Sequence, residues 1–333
     1  MSDGTATTHE IPINDLRARC EDSLVRRGAN PSQAAVVFDD YLDAELRGRV
    51  SHGFASWPVA LSAFPTSGSF VVGKDAGSVV QILGNGDCGH TVARYAADLA
   101  LERLSRVGVV IVGVNNITRF NCPGVLARHI AERGAIALVL EYGGSNLMVP
   151  VGGKSPALST NPIGIAVPGT SPLFVLDFAT SERAIGHVAL AKLAEQRIPR
   201  EWGVDADGRQ TTDPKAVVGM LPFGGYKGFG LSLAFEILSG ALVGVPIGSK
   251  GSPRCRGALM MVISPTVFGG ADADFAAAAQ QFLDEVRSSS PAMPGDPVVY
   301  PGVVSEQRYL DAMTRGTVIF RAPVWATLND SLN

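Results

Sequence analysis

A chain of 333 residues, 46% hydrophobic and only 18% charged, is long enough for a sizeable core and for two domains. Its 28 Lys and Arg stand against 31 Asp and Glu, and a net charge of −3 excludes the broad basic footprint of a nucleic-acid or acidic-membrane binder. The expected partner is a small molecule.

The opening MSDGTATTHEIP lacks the basic and apolar regions of a signal peptide, and no apolar run reaches membrane-span length. Cys20, Cys88, Cys122 and Cys255 are far apart and form no CxxC pair, so they read as free thiols in a cytoplasmic protein. INDLRARCEDSLVRRG and NPSQAAVVFDDYLDAELRG carry apolar residues at three and four spacing, as a helix pair does, with Asn30 and Pro31 starting the second helix and Gly48 stopping it. RVSHGFASWP follows as a turn holding Ser51 and His52. SVVQILGNGDCGHTVARYAADLALERLSRVGVVIVGV then reads as strand, glycine turn, long helix and strand. PGVLARHIAERG reads as a helix and AIALVLEY as a strand, after which Gly- and Pro-rich loops with short strands suggest a different sheet. RGALMMVISP is a further buried strand and DADFAAAAQQFLDEVRSS a late helix.

GNGDCG, through Gly84, Gly86 and Gly89, satisfies the G-x-G-x-x-G dinucleotide fingerprint between a strand and a helix. The next strand should end in an acid for the ribose hydroxyls, yet VGVVIVGVNN ends in Asn115 and Asn116. On the residues alone, a Rossmann turn and a tight turn packing a helix on a sheet remain equal readings. Past that strand comes NNITRFNCPG, where Arg119 is either a site residue or a loop charge, since strand ends are where α/β proteins bind ligands.

Ser51 and His52 share one turn, and Asp177 closes the strand FVLDFATS. A histidine bonded to a hydroxyl and oriented by a carboxylate can pass a proton near neutral pH, whereas the plainer reading is a capping serine and a surface histidine. Lys227 in GGYKGFG is either a ligand-reaching ammonium or a solvated turn lysine. The remaining histidines have no partner at metal-ligand spacing, and no metal site is expected.

In order, LRGRVSHG, the glycine turn, TNP, LDFATS, IPREWGVDADGRQTTDP, LPFGGYKGFGLS and PGDP resemble the malate/L-lactate dehydrogenase family that lacks a Rossmann fold, from about residue 13 to about 300. That family includes sulfolactate and ureidoglycolate dehydrogenases and reductases of piperideine-2-carboxylate and pyrroline-2-carboxylate. The resemblance implies an α/β protein whose non-Rossmann NAD(P)-binding domain, residues 116–299, is built on a mostly antiparallel sheet. It also implies a mixed helical substrate and dimerisation domain from residues 1–115 with 300–333. The glycine turn would not be the nucleotide site. NAD or NADP is the implied cofactor, and a homodimer the implied assembly.

Carried over by position, Ser51, His52 and Asp177 match a proposed proton relay, and Thr160 and Asn161 a loop beside substrate and cofactor. Phe120, Asn121, Cys122, the turn Phe178, Ala179, Thr180 and Ser181, then Lys227, and finally Pro294, Gly295 and Asp296 match cofactor-side segments. Two positions depart. Ser56 stands where the family has an arginine for the substrate carboxylate, and Arg119 where it has a catalytic histidine; His187 also occupies a position where relatives often carry lysine. A guanidinium stays charged and cannot shuttle a proton, but it can hold a carboxylate or polarise an oxyanion. The expected activity is reduction of a small 2-oxo acid or cyclic imine carboxylate, or the reverse oxidation, with Arg119 as the displaced anchor. The alternative is a family-derived protein that has lost hydride transfer and serves as a non-redox catalyst or binding protein.

Overall fold

The computed structural model describes residues 7–333 apart from Pro172 and Pro294. In chain order the elements are β1 (Thr8–Pro12), α1 (Ile13–Val25), α2 (Pro31–Leu46), α3 (Trp57–Leu61), β2 (Val71–Asp75), β3 (Val79–Leu83), α4 (Gly89–Val107), β4 (Val109–Ile117), α5 (Pro123–Ala131) and β5 (Ile136–Tyr142). There follow β6 (Ile163–Val167), β7 (Phe174–Phe178), α6 (Ile185–Leu193), β8 (Gly203–Val204), β9 (Gly219–Met220), α7 (Tyr226–Glu236), β10 (Arg256–Ile263), α8 (Asp272–Arg287), α9 (Val303–Arg315), β11 (Thr317–Arg321) and α10 (Ala322–Ser331).

Local chemistry sets the helix ends. Asn30 accepts from the Gln33 backbone while the Gln33 side chain accepts from the Asn30 N–H, a reciprocal cap that starts α2, with Pro31 supplying a pre-set φ. α4 buries Val92, Ala93, Ala96, Ala97 and Ala100 on one face and stops at Gly108, whose φ of 72° lets its N–H reach the Leu104 carbonyl.

The largest sheet among the described residues has the order β2-β3-β4-β10-β5-β6-β7, and of its pairings β3 with β4 is parallel while the others are antiparallel. This matches the mostly antiparallel sheet that the resemblance implies. β10 inserts between β4 and β5 although it comes much later in the chain. The directions then bring the C-terminal ends of β3, β4, β5 and β7 and the starts of β6 and β10 to a single edge.

Two cores result. One packs α4 and α5 on the sheet through Val80, Ile82, Val112, Leu126, Ile130 and Met260. The other joins α1, α2 and α3 to the chain's last segments through Leu16, Phe38, Phe54, Trp57, Phe320 and Leu328, closed by the β1–β11 pair. A domain limit at residues 115 and 116 therefore cuts through β4; β2 and β3 belong to the sheet, and α4 packs on that sheet while also pairing His90 and Arg94 with Asp40 of α2. The hydrogen-bonded ladder from β3 to β4 is what moves that limit. No described helix is long and apolar enough to cross a membrane.

Candidate active site

GNGDCG does not form an open phosphate cradle. A Cβ on Gly84 would lie 2.4 Å from the Asn115 carbonyl oxygen, and one on Gly89 would lie 2.1 Å from that of Thr118. The space a pyrophosphate would need is filled by the backbone of the last residues of β4 and of Thr118 and Arg119 just after it. Gly84 and Gly86 donate to Asn115 and Asn116, Gly89 donates to Thr118 Oγ1, and Thr118 donates back to Asp87. The glycines thus clamp residues 115–119 and fix where Arg119 leaves the sheet.

Arg119 enters a cavity of about 560 Å³ at the sheet edge, lined also by Ser51, His52, Ser56, Cys122, Thr160, Asp177, Phe178, Ala179 and Ser181. Its guanidinium is half-buried and has no hydrogen-bonding or ion-pair partner among the described residues. A cation left without a carboxylate in such a place is a ready anion site.

Ser51 Oγ and His52 Nδ1 share a 3.0 Å hydrogen bond, which leaves Nε2 as the ring nitrogen available to a ligand. The turn is held from below, where Asn121 Nδ2 donates to the His52 carbonyl at 2.8 Å. Burial, helped by the charges of Arg119 and Arg49, holds the His52 imidazole down at about pKa 3. Asp177 lines the same cavity but is not hydrogen-bonded to His52. Its carboxylate is ion-paired with Arg49 at 3.0 Å, and burial raises its pKa despite that partner. The expected three-member relay is thus a bonded pair, Ser51 and His52, beside a carboxylate turned to Arg49.

Several expected cofactor contacts face elsewhere. Phe120 is packed in the sheet core, and Asn121 spends its amide beneath His52. Asn161 is fully buried, its amide donating to Ser232 Oγ and Glu236 Oε2 at 3.0 and 2.9 Å, and Thr180 is equally buried with Oγ1 donating to the Thr160 carbonyl. These four shape the walls instead of lining them. Lys227 is exposed in the first turn of α7 and does not line this cavity, and neither do the exposed Gly295 and Asp296. Pro294 lies outside the described residues.

Arg49, Glu141 and Arg256 escape a search for motifs, although a signal was present: AIALVLEY places one carboxylate in an otherwise apolar strand. Glu141 is 2% exposed and accepts from Arg256 Nη1 at 3.2 Å; burial pushes its carboxyl up to about 7. Glu45, below the SHG turn, accepts from the Phe54 N–H at 2.9 Å and is likewise pushed by burial to about 7.

The sequence profile described as Malate/L-lactate dehydrogenase matches residues 11–329. L-sulfolactate dehydrogenase of Methanocaldococcus jannaschii is 34% identical over 299 residues, 86% of this chain and 86% of that protein. The Delta(1)-pyrroline-2-carboxylate/Delta(1)-piperideine-2-carboxylate reductase of Pseudomonas putida is 29% identical over 311 residues, 88% of this chain and 90% of that one. The crystal structure of a dehydrogenase from Sinorhizobium meliloti superposes with a TM-score of 0.89 at 30% identity, covering 98% of this chain and 99% of that one. With the profile spanning nearly the whole length and the fold matched throughout, the chain belongs to the malate/L-lactate dehydrogenase family.

Proposed function

We propose that this member of the family is an NAD(P)-dependent oxidoreductase that interconverts a small 2-oxo acid or cyclic imine carboxylate with its reduced form. The observation that carries the reading is the unpartnered Arg119 guanidinium in the same cavity as the bonded Ser51–His52 pair. Relatives named as dehydrogenases of sulfolactate and reductases of pyrroline-2-carboxylate act on such acids, and their names include both NAD(+) and NADP(+) enzymes.

The cavity suits a nicotinamide nucleotide. Phe178, Ala179, Pro123 and Ile185 give it apolar lining for a ring, and Arg183 stands among the lining residues. The turn from Phe178 to Ser181, with Thr160 beside it, would hold this group, which supplies or accepts hydride when bound. Arg119 holds the substrate carboxylate and polarises the neighbouring carbonyl or imine. Neutral His52 accepts the substrate proton at Nε2 during oxidation while Nδ1–H donates to Ser51 Oγ; in reduction the same nitrogen returns the proton. Asp177 holds Arg49 and keeps its charge at the cavity wall. The active unit is a homodimer, a reading supported by the exposed apolar side chains of Tyr226, Ile237 and Leu242 along α7 and the turn after it.

Fluorescence titration with NADH and NADPH, then nucleotide consumption with a panel of 2-oxo acids and cyclic imines, tests the reading. Binding of neither nucleotide sinks it. Arg119→Ala should raise the substrate KM at least tenfold with little change in nucleotide affinity; an unchanged KM and turnover removes Arg119 from the site.

A further inference from the structure

At the edge where β4, β10 and β5 meet, Arg119 has company. Arg256 opens β10 directly opposite Ile117, two residues before Arg119, and Glu141 lies near the end of β5 opposite Ala258. Three charged side chains therefore come from the same end of three adjacent central strands. Arg256 donates from Nη1 to Glu141 and from Nε to the Pro253 carbonyl, leaving Nη2 unengaged, and its side chain keeps 17% exposure. The charge of Arg119 lowers the Arg256 pKa, after burial itself, and both arginines lower that of His52, so all three groups share one interior field.

The charges do not balance. Arg49 and Asp177 compensate each other and Glu141 compensates Arg256, which leaves the charge of Arg119 without an ion-pair partner among the described residues. A buried excess of positive charge is costly unless an anion completes it. Arg119 lines the cavity with its guanidinium unengaged, and Arg256, outside the residues that line it, has Nη2 unengaged; two such guanidinium groups meeting at one point suit a planar carboxylate, whose two oxygens offer four acceptor directions.

We propose that Arg256 is the second arm of the substrate's anion site, closing on the carboxylate together with Arg119, and that Glu141 is the positioning residue that aims it. The inference rests on the proposed 2-oxo acid or imine carboxylate reading and adds the residue that replaces the missing arginine at position 56. Removing Arg256 alone would strand Glu141 in the interior, so the test pairs it with a neutral partner.

Oxalate, a two-carboxylate mimic of a 2-oxo acid, serves as probe by calorimetry on the full-length protein. Wild type should bind it, Arg119→Ala and the double variant Arg256→Met/Glu141→Gln should each weaken it at least tenfold, and Arg256→Lys should weaken it by an intermediate factor. In Glu141→Gln the Kd for oxalate should rise while the nucleotide Kd stays near wild type, a split that a merely structural residue would not produce. A double variant that binds oxalate like wild type overturns the proposal, as does a wild type that does not bind it. Oxalate binding lost in the double variant, with no hydride transfer to any 2-oxo acid or imine, leaves the anion site standing and removes only the reductase reading.

Discussion

His52 sits in a field that opposes its own protonation. Arg119, Arg49, His187 and Arg256 all act on a buried imidazole, and the folded pKa falls to about 3 from an ordinary 6.5. In the unfolded chain the ring takes a proton below about pH 6.5, whereas the folded ring does not until near 3, so this group contributes stability that is lost as pH falls through that window. A bound carboxylate offsets the arginines. Saturating oxalate should therefore move the His52 titration upward, read by ring-nitrogen NMR shifts; a titration unmoved by bound oxalate would falsify the coupling of substrate charge to proton affinity. Glu45 shows the opposite sign. Its carboxyl is raised to about 7, so the folded state holds a proton that the unfolded chain has lost above about pH 4.5, and stability falls as pH rises toward 7. Glu45→Gln keeps an acceptor for the Phe54 N–H and removes the ionisation. Its melting temperature should exceed wild type by roughly 2–5 °C at pH 8 and match it at pH 5, by scanning calorimetry at both pH values.

The turn between β3 and α4 joins the sequence reading to the site in an unexpected way. Its glycine spacing reads equally as a dinucleotide fingerprint and as a packing device, and only the close approach of residues 115–119 decides between them. Gly89→Ala pushes a methyl into the Thr118 and Arg119 backbone, so it should lower the melting temperature and, with it, substrate affinity. A Rossmann site would instead lose nucleotide affinity at unchanged stability, and equilibrium unfolding alongside NADH titration separates the two. Helix ends, the buried strands and the SHG turn were legible because capping, periodicity and turn chemistry act over a few residues. The insertion of β10 between β4 and β5 was not, because strand order is a long-range choice that no local pattern records. Without that order nothing sets Arg256 beside Arg119, or shows that Asp177 turns to Arg49. The aligned positions Phe120, Asn121, Asn161 and Thr180 illustrate the same limit, for sequence places them near the cavity but not on which side of its wall.

The two cores meet through charge as well as apolar packing, at Asp40 of α2 with His90 and Arg94 of α4, at Arg49 with Asp177, and at the carboxylate of Glu306. It lies on α9 and accepts from Arg47 Nη1 of the α2 C-cap at 2.7 Å and from Arg128 Nη1 of α5 at 3.0 Å. Both guanidinium side chains are only 6% exposed. Arg47 keeps Asp43 at 2.6 Å, but Glu306 is the one carboxylate paired with Arg128 among the described residues. Glu306→Gln therefore leaves a buried cation without its counter-charge, a change of the kind that costs about 3–5 kcal/mol because the stranded group has already lost its water. Arg209 and Asp207 make the contrasting case, a 2.8 Å pair whose side chains are 78% and 69% exposed, for which Asp207→Asn should cost less than ~1 kcal/mol. Since α9 returns the C-terminal segment to the core beneath the SHG turn, the loss at Glu306 should also loosen that turn and raise the substrate KM. Urea unfolding of both variants beside wild type gives the comparison: equal unfolding free energies would mean that the Glu306 carboxylate contributes nothing to joining the two cores.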